Sequence, residues 1–410
     1  MHHTDGSALA ASHDNWRQIV DLRWRKFKRL AEFLAFSVLD LLTLANVAVR
    51  TETGCAIVHV ELLGDYVLWR PYGIALAAHL GTTGRRVHLV LDELVAELAR
   101  TDFPDCELLL VSRPRLTHDP AYRARTLRSL RRLHVQETYL ASCPRDGIVH
   151  DAIVAALGAP AWGFESTFRD RPWLDVAWNR RLYSLGVVAH QGWTHKNVPH
   201  RLLLHRLGIS AVSHQTAGFP SRPPQPRSTQ STYWILAVGS SNAGRRWPVH
   251  RFVEVANWLL AERPHWSCLL VGSAVEQELA EVAARQLRGK VTNLVGKTSL
   301  TELQELVGGA VVLLGNDSAL GHIAASLGIP SVVVVGGGHH GRCYPYPSDG
   351  SVATCAPTVV AKPMDCFHCD WICRYRVAPG APFPCVEHVD VASVCTALAA
   401  VVGQIEDKRR

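Results

Sequence analysis

Strand-like apolar runs alternate with helical patterns in two separate series along this chain, and a stretch rich in proline, serine and arginine divides them. Such alternation belongs to parallel sheets covered by helices, because joining two parallel strands takes a crossover long enough to hold a helix. The first series begins at Cys55. CAIVHVEL reads as a strand, GDYVLWRPYGIALAAHL as a turn and helix, and RRVHLVL as the next strand, which together make a βαβ unit. Further strand-like runs at ELLLVS, ETYLAS and YSLGVVAH extend one open, mostly parallel sheet to about residue 215. GFPSRPPQPRSTQST has no apolar period and reads as an interdomain linker. The second series runs through YWILAVG, a helix from Pro248 to Glu262, SCLLVG, a helix from Glu276 to Leu287, VTNLVG, the helix TSLTELQELVGG, AVVLLG, a helix around Gly321 to Leu327, and SVVVVG. The expected fold class is α/β, with two Rossmann-like, doubly wound domains facing across a cleft, since open parallel sheets bind ligands at the carboxyl ends of their strands. The expected boundaries are 1–50 for an N-terminal helical extension, 51–215 for the first domain and 216–232 for the linker. Residues 233–360 make the second domain, and 361–410 a cysteine-rich segment with a C-terminal helix.

With 410 residues, 48% of them hydrophobic, the chain can bury two such cores. Its formal charge of +7 favours acidic partners such as phosphate groups or anionic membrane surfaces. Nucleic acid is not indicated, because no basic stripe with interleaved aromatics, no Cys2His2 spacing and no RNA-recognition signature can be read. Residues 16–50 read as a long helix, basic at its start and apolar toward its end, with Glu32 and Asp40 interrupting the apolar part. A transmembrane span needs about 20 predominantly apolar residues, so this is a poor candidate. Two readings stay open for it: packing against the body of the protein, or an interfacial helix held by Arg23, Arg25, Lys26, Lys28 and Arg29 against anionic lipid. The N-terminus MHHTDGSALAASHDN is polar and lacks an early apolar region. The expected location is therefore the cytoplasm, peripheral at the inner face of the cytoplasmic membrane if the helix meets lipid. In a reducing compartment the eleven cysteines do not read as a disulfide framework. Cys55 and Cys268 lie in strand-like runs as ordinary core residues, whereas the four cysteines between Cys366 and Cys385 read as a metal site.

Three strand-to-helix turns carry residues suited to an anionic ligand. GNDSALGHIAASLGIP, residues 315–330, follows the apolar strand AVVLL and leads straight into a helix. The backbone N–H groups of Ser318 and Ala319 then lie free at a helix start, where the dipole also favours an anion such as a diphosphate. The bland alternative is that Asp317 or Ser318 only caps the helix and His322 is an ordinary helix residue. AVGSSNAGRRWP, residues 237–248, is a second strand running into a loop, with Ser240, Ser241, Arg245 and Arg246 available to a leaving diphosphate. Adjacent arginines are also common on solvated surface. In VGSAVEQE, Glu276 follows a strand and can accept from sugar or ribose hydroxyls, or serve as a first-turn Glu favoured by the helix dipole. A dinucleotide-binding dehydrogenase is disfavoured, because LLGD stands after the first strand where G-x-G-x-x-G would be needed.

Together these stretches resemble glycosyltransferase family 9, the heptosyltransferase family with the two-domain GT-B fold, over roughly residues 55–400. GRRWP, LVGKTSL and GNDSALGHIAASLG carry the resemblance. It implies that ELLGD at 61–65 is the family's N-terminal LGD motif, with Asp65 as catalytic base. It implies that Arg245 stands for the family's Lys, Glu276 for its donor-site Glu, and Asp317, Ser318, Ala319 and His322 for its Asp-Ser/Thr-Gly-x-x-His motif. Arg for Lys keeps the charge and changes its geometry, and Ala319 in place of Gly narrows the approach of phosphate to backbone, so donor identity stays open. The implied activity is inverting transfer of a sugar from a nucleotide-diphosphate donor, ADP-heptose first, to a hydroxyl of a cell-envelope glycolipid or of a protein. Asp65 in the first domain and Arg245, Ser318 and Ala319 in the second would hold acceptor and donor on opposite walls of the cleft. No Asp-x-Asp metal motif lies in a suitable loop, so no divalent cation is expected to be needed for transfer. A sugar-nucleotide epimerase and a catalytically dead metal-binding scaffold are the alternatives, and a homo-oligomer is compatible with each.

Cys366 and Cys369 are separated by Phe367-His368, Cys373 follows after Asp370-Trp371-Ile372, and Cys385 returns after a loop rich in proline and glycine. A C-x2-C pair with a third thiolate nearby and a fourth on a closing loop suits tetrahedral zinc or a single iron. His368 and Cys355 are alternatives for one ligand. The cluster also resembles the iron-binding cysteine motif of autotransporter heptosyltransferases. Four protein ligands leave no open position, so the metal would be structural.

Overall fold

A computed structural model describes residues 6–48, 54–143, 145–165, 180–189, 193–209, 232–347 and 355–410, with only backbone for 6–22, 25, 26 and 409. The expected linker at 216–232 lies, but for its last residue, outside the described residues. The first apolar run forms β1 (Gly54–His59), buried at every position as a central parallel strand must be. It pairs in parallel with β2 (Val87–Asp92) and with β4 (Val135–Leu140), so that Ile57 faces Leu89 on one side and Tyr139 on the other. With β3 (Glu107–Val111), β5 (Ala161–Phe164) and β6 (Gly186–Val188) the order is β3-β2-β1-β4-β5-β6. The associated helices are α1 (Gly6–Leu44), α2 (Leu63–Thr82), α3 (Ala96–Asp102), α4 (Arg113–His118), α5 (Pro120–Arg131) and α6 (Ala152–Leu157).

The second series builds β7 (Tyr233–Ala237), β8 (Ser267–Leu270), β9 (Val291–Asn293), β10 (Leu313–Asn316), β11 (Ser331–Val334) and β12 (Thr358–Val360). Their order, β12-β11-β10-β7-β8-β9, repeats the first sheet's when each is counted from its own first strand. Around it lie α7 (Asn197–Arg206), α8 (Val249–Glu262), α9 (Gln277–Gln286), α10 (Leu300–Gly308), α11 (Ala319–Ser326), α12 (Pro384–Glu387) and α13 (Val391–Arg409). Both sheets are thus doubly wound, and each has its topological switch beside its first strand, where ligand-binding loops collect. Contacts gather the chain into two compact units, Met1–Glu61, Ala77–Ala96 and Asp105–His190 in one, Leu62–Leu76, Glu97–Pro104 and Gln191–Arg410 in the other. The first core is built on Val58, Val90, Leu140 and Ile153, the second on Trp234, Leu236, Trp247, Phe252 and Leu398. Cys55 and Cys268 are fully buried in their strands, as expected of core residues.

The N-terminal helix is already formed at Gly6 and stops at Leu44, short of residue 50. Among the described residues no helix is long and apolar enough to cross a membrane. One face of α1 docks on the first unit through buried Phe33 and Thr43 and through Asp40. The Asp40 carboxylate takes both Nε (2.7 Å) and Nη2 (2.5 Å) of Arg123, a residue only 1% exposed. Arg123 Nη1 also donates to the Leu116 and Ile148 carbonyls, at 3.0 and 2.8 Å, so one buried guanidinium ties α1, α4, α5 and the turn before α6 together. Removing one member of such a pair strands the other. Arg123→Met should cost about 3 kcal/mol of stability and open α1 to limited proteolysis; an unchanged urea midpoint and digestion pattern would remove the pair from this role.

Candidate active site

The loops after β7 and β10 lie side by side because the Asn316 side chain joins them. Its Oδ1 accepts the Trp247 N–H at 2.8 Å, and its Nδ2 donates to the carbonyls of Val238 (2.8 Å) and Gly239 (3.3 Å). The turn Asp317-Ser318 then enters α11, and Ser240 Oγ donates to the Asp317 carbonyl at 3.4 Å. Arg245, in the 3-10 turn Ala243–Arg245, points one guanidinium nitrogen at Ser241 Oγ (2.8 Å) and another at Asp317 Oδ2 (3.9 Å). Arg246 turns back and donates Nε to the Ser240 carbonyl at 2.8 Å. Three donors, Arg245 Nε, Ser318 Oγ and Trp371 Nε1, are buried without a hydrogen-bond partner among the described residues.

Asp65 comes to the same place. It lies in the first turn of α2, and the next turn is pinned by Asp102, which accepts from Tyr66 Oη at 2.7 Å and from Arg70 Nη2 at 2.7 Å. A Cβ on Gly64 would stand 3.4 Å from the His322 ring and 3.5 Å from Ala319 Cα, so the LGD turn abuts the first turn of α11. Contacts therefore group the start of α2 with the second unit, although residues 51–215 read in sequence as one domain. Lys196, which sequence reasoning missed, makes an ion pair with Asp65, and its own N–H donates to the Arg342 carbonyl at 2.9 Å.

The cluster shapes its own titration. Burial raises the Asp317 pKa, Arg245 and Lys196 pull it back down, and Asp65 adds to the rise. Burial drives His322 down to about 3, with His195 and Lys196 adding to the effect. Tyr344 stacks flat on His322, with ring centroids 4.3 Å apart, and Tyr346 Oη lies 2.7 Å from Nδ1. Burial lifts the Tyr346 phenol well above its usual range, so it keeps its proton beside the neutral His322 ring.

Glu276 sits elsewhere on the rim. Its carboxylate accepts the Ser273 N–H (2.8 Å) and hydroxyl (3.0 Å), which makes it the partner in a capping box. It also fills the space beside Gly239, where a Cβ would lie 2.0 Å from Oε1.

The cysteine segment backs onto the Arg245 loop. Trp371 lies beneath the Arg245 guanidinium, 5.6 Å from it, and stacks on Phe383, whose N–H donates to the Gly244 carbonyl at 2.8 Å. Cys366, Cys369, Cys373 and Cys385 are free thiols, and each lies within the electrostatic reach of the other three. Burial pushes the thiols of Cys369, Cys373 and Cys385 up, while backbone N–H groups, of Trp371 and Cys369 for the first, Tyr375 for the second and Gly337 for the third, work in the opposite direction. The Gly337 N–H reaches Cys385 Sγ at 3.3 Å. Among the described residues, no three His, Cys, Asp or Glu side chains stand at the spacing of a metal site.

Comparisons with known proteins find a likeness over part of the sequence and over the fold. Residues 198–363 match the sequence model of Glycosyltransferase family 9 (heptosyltransferase). Lipooligosaccharide heptosyltransferase 2 of Haemophilus influenzae is 32% identical over 96 residues, which cover 22% of this chain and 27% of that protein. Lipopolysaccharide heptosyltransferase 2 of Escherichia coli is 31% identical over the same shares. The matched segment thus spans about a quarter of the length of these relatives. Over the whole fold, a glycosyl transferase family 9 structure from Veillonella parvula superposes with a TM-score of 0.63 at 15% identity, covering 88% of this chain and all of its own. The E. coli ADP-heptose LPS heptosyltransferase II structure does so with a TM-score of 0.58 at 16% identity, covering 86% and 99%.

A neutral, buried His322 has a measurable consequence. Between its unfolded value near 6.5 and the folded value of about 3, the unfolded chain binds a proton there that the folded chain refuses. Stability must fall as pH drops through that window, by up to about 1.4 kcal/mol per pH unit from this residue. Urea denaturation from pH 7 to pH 4.5 should show the slope flattened in His322→Gln; an identical slope would mean that other groups carry it.

Proposed function

We propose that this chain, whose residues 198–363 match the sequence model of glycosyltransferase family 9, is an inverting glycosyltransferase that uses a nucleotide-diphosphate sugar. The observation that carries the reading is the meeting of the LGD turn with the first turn of α11, which puts Asp65 in one electrostatic cluster with Lys196, Arg245 and Asp317. Asp65 is the base that takes the proton from the acceptor hydroxyl. The oxygen so freed attacks the anomeric carbon from the face opposite the diphosphate, and the bond to the diphosphate breaks. The departing charge is met by Arg245, by the hydroxyl of Ser318 and by the N–H groups of Ser318 and Ala319 at the start of α11, dipoles that need no rearrangement to do so. Lys196 holds the Asp65 carboxylate in place. Asp317 and His322 face the sugar, and Glu276 and Ser241 the remainder of the donor.

Heptose is the proposed sugar, with ADP its nucleotide, in keeping with the heptosyltransferase description of the family and of the named relatives. The proposed acceptor is a hydroxyl of a cell-envelope glycolipid, those relatives being named for lipooligosaccharide and lipopolysaccharide, and the proposed location is the cytoplasm. Paired variants test the assignment. Asp65→Asn should lower turnover about 10²- to 10⁴-fold while leaving ADP affinity within a few fold. Arg245→Ala should weaken ADP binding in calorimetry by about tenfold or more, as loss of a charge-assisted contact does. Turnover near wild type in Asp65→Asn would sink the base. Free nucleotide with an altered sugar, released without any acceptor, would move the enzyme to the epimerases.

A structural zinc or iron held by Cys366, Cys369, Cys373 and Cys385 is also proposed, on the C-x2-C spacing and the mutual proximity of the four thiols; among the described residues their side chains do not stand at ligand spacing, so binding would have to draw them together. The metal would supply four bonds that pin a loop with little apolar pattern, and no step of transfer passes through it. Elemental analysis of protein purified without chelator should find about one zinc or iron per chain, lost together with thermal stability in Cys366→Ser. A metal-free wild type of full stability would refute the site.

A further inference from the structure

A helix that packs on a domain needs one apolar stripe, and α1 has two. Phe33, Phe36, Asp40 and Thr43 make the docked face, with Phe36 beneath the Arg123 guanidinium. At about 100° per residue these positions share one arc. Trp24, Phe27, Leu34, Val38, Leu41 and Leu42 fall on another, roughly opposite, and are 54–71% exposed. The stripe runs about 27 Å along the helix. An unpartnered apolar strip of this kind on a soluble surface marks a binding face.

Charge says what binds. Arg23 and Lys28, both exposed, border the stripe on either side near its first turns, whereas Arg29 falls on the arc of the docked face. The Lys28–Glu32 pair, at 3.9 Å and largely in water, leaves the Lys28 charge available. The acidic side chains among the described residues of α1, Glu32 and Asp40, lie off this face, the latter committed to Arg123. Among the described side chains, a second copy of the helix would bring no negative charge to the basic end of this face: parallel pairing sets cation against cation, and antiparallel pairing sets it against Leu41 and Leu42. We infer that this face of α1 lies in the surface of an anionic lipid bilayer, with Trp24 and Phe27 at the headgroup level beside Arg23 and Lys28 and the leucines against acyl chains. The helix lies along the membrane rather than across it, consistent with its lacking a spanning stretch. The inference is independent of the transfer reaction and would stand if the donor assignment fell.

The test is co-sedimentation of the full chain with phosphatidylcholine vesicles, with and without phosphatidylglycerol. Binding should need phosphatidylglycerol and weaken at high salt. Arg23→Glu/Lys28→Glu should reduce partitioning about tenfold or more, at roughly fivefold for each basic residue near an anionic surface. Leu34→Glu/Val38→Glu should abolish it, and Leu34→Gln/Val38→Gln, which adds no charge and keeps good helix formers, should reproduce most of that loss with an unchanged circular dichroism spectrum. No sedimentation of the wild type, or equal sedimentation of all variants, overturns the inference. So does a wild-type oligomer in light scattering that Leu34→Gln/Val38→Gln converts to monomer without any vesicle binding, which would make the face a contact between copies of the chain.

Discussion

The buried amide of Asn316 is the interaction on which the candidate site depends. Where β7 and β10 end, their last backbone groups no longer have a strand partner, and at 1% exposure they have no water either. One side chain with both a donor and an acceptor satisfies Val238, Gly239 and Trp247 together. The loop bearing Arg245 is thereby locked to the turn bearing Asp317. Trp247 passes the constraint on, since its indole N–H donates to the Val389 carbonyl at 2.9 Å, just before α13. Neither Asp nor Leu could replace Asn here. The first has no donor for the carbonyls, and the second would leave all three groups unsatisfied.

The cysteine segment is attached to the site by close approaches that only glycine permits. A Cβ at Gly338 would fall 2.2 Å from the Trp371 indole, and one at Gly244 would fall 2.3 Å from the Phe383 ring. Three residues in succession or nearly so, His368, Asp370 and Trp371, hold positive φ, a conformation costly for side chains of this size. The cost is offset by the His368 and Asp370 N–H bonds to the Gly337 and Gly338 carbonyls, and by Asp370 accepting from Arg342 Nη1 at 2.9 Å. Anything that relaxes this segment relaxes Trp371, and with it the support beneath Arg245.

β1 and β11 were legible because burial on both faces leaves a continuous apolar run, as in CAIVHV and SVVVV. β5 and β12 were not, since AWGF has a glycine among its four residues and TVV stands between prolines as a partly exposed edge strand. The strand-to-helix turns at Asp317 and Arg245 could be read because their chemistry is local in sequence. Lys196 could not, because it meets Asp65 across 131 positions and sits in no motif. Glu276 illustrates the reverse. Its capping-box spacing from Ser273 was present in the sequence, and this local role is what its observed hydrogen bonds perform.

The balance of charge explains how four ionic side chains can share one largely buried site. Asp65 and Asp317 are matched by Lys196 and Arg245, so the cluster carries no net charge from these four residues and tolerates its burial. In the proposed function a diphosphate would add negative charge to that balanced set. There it would be met without breaking either pair, because Ser318 Oγ and Arg245 Nε are buried side-chain donors with no hydrogen-bond partner among the described residues. His322 is excluded from this role as a cation: burial and the neighbouring His195 and Lys196 keep it neutral, and its stacking on Tyr344 fixes the ring. In the proposed function it would therefore meet a sugar hydroxyl as a neutral ring, whatever the charge state of the donor's phosphates.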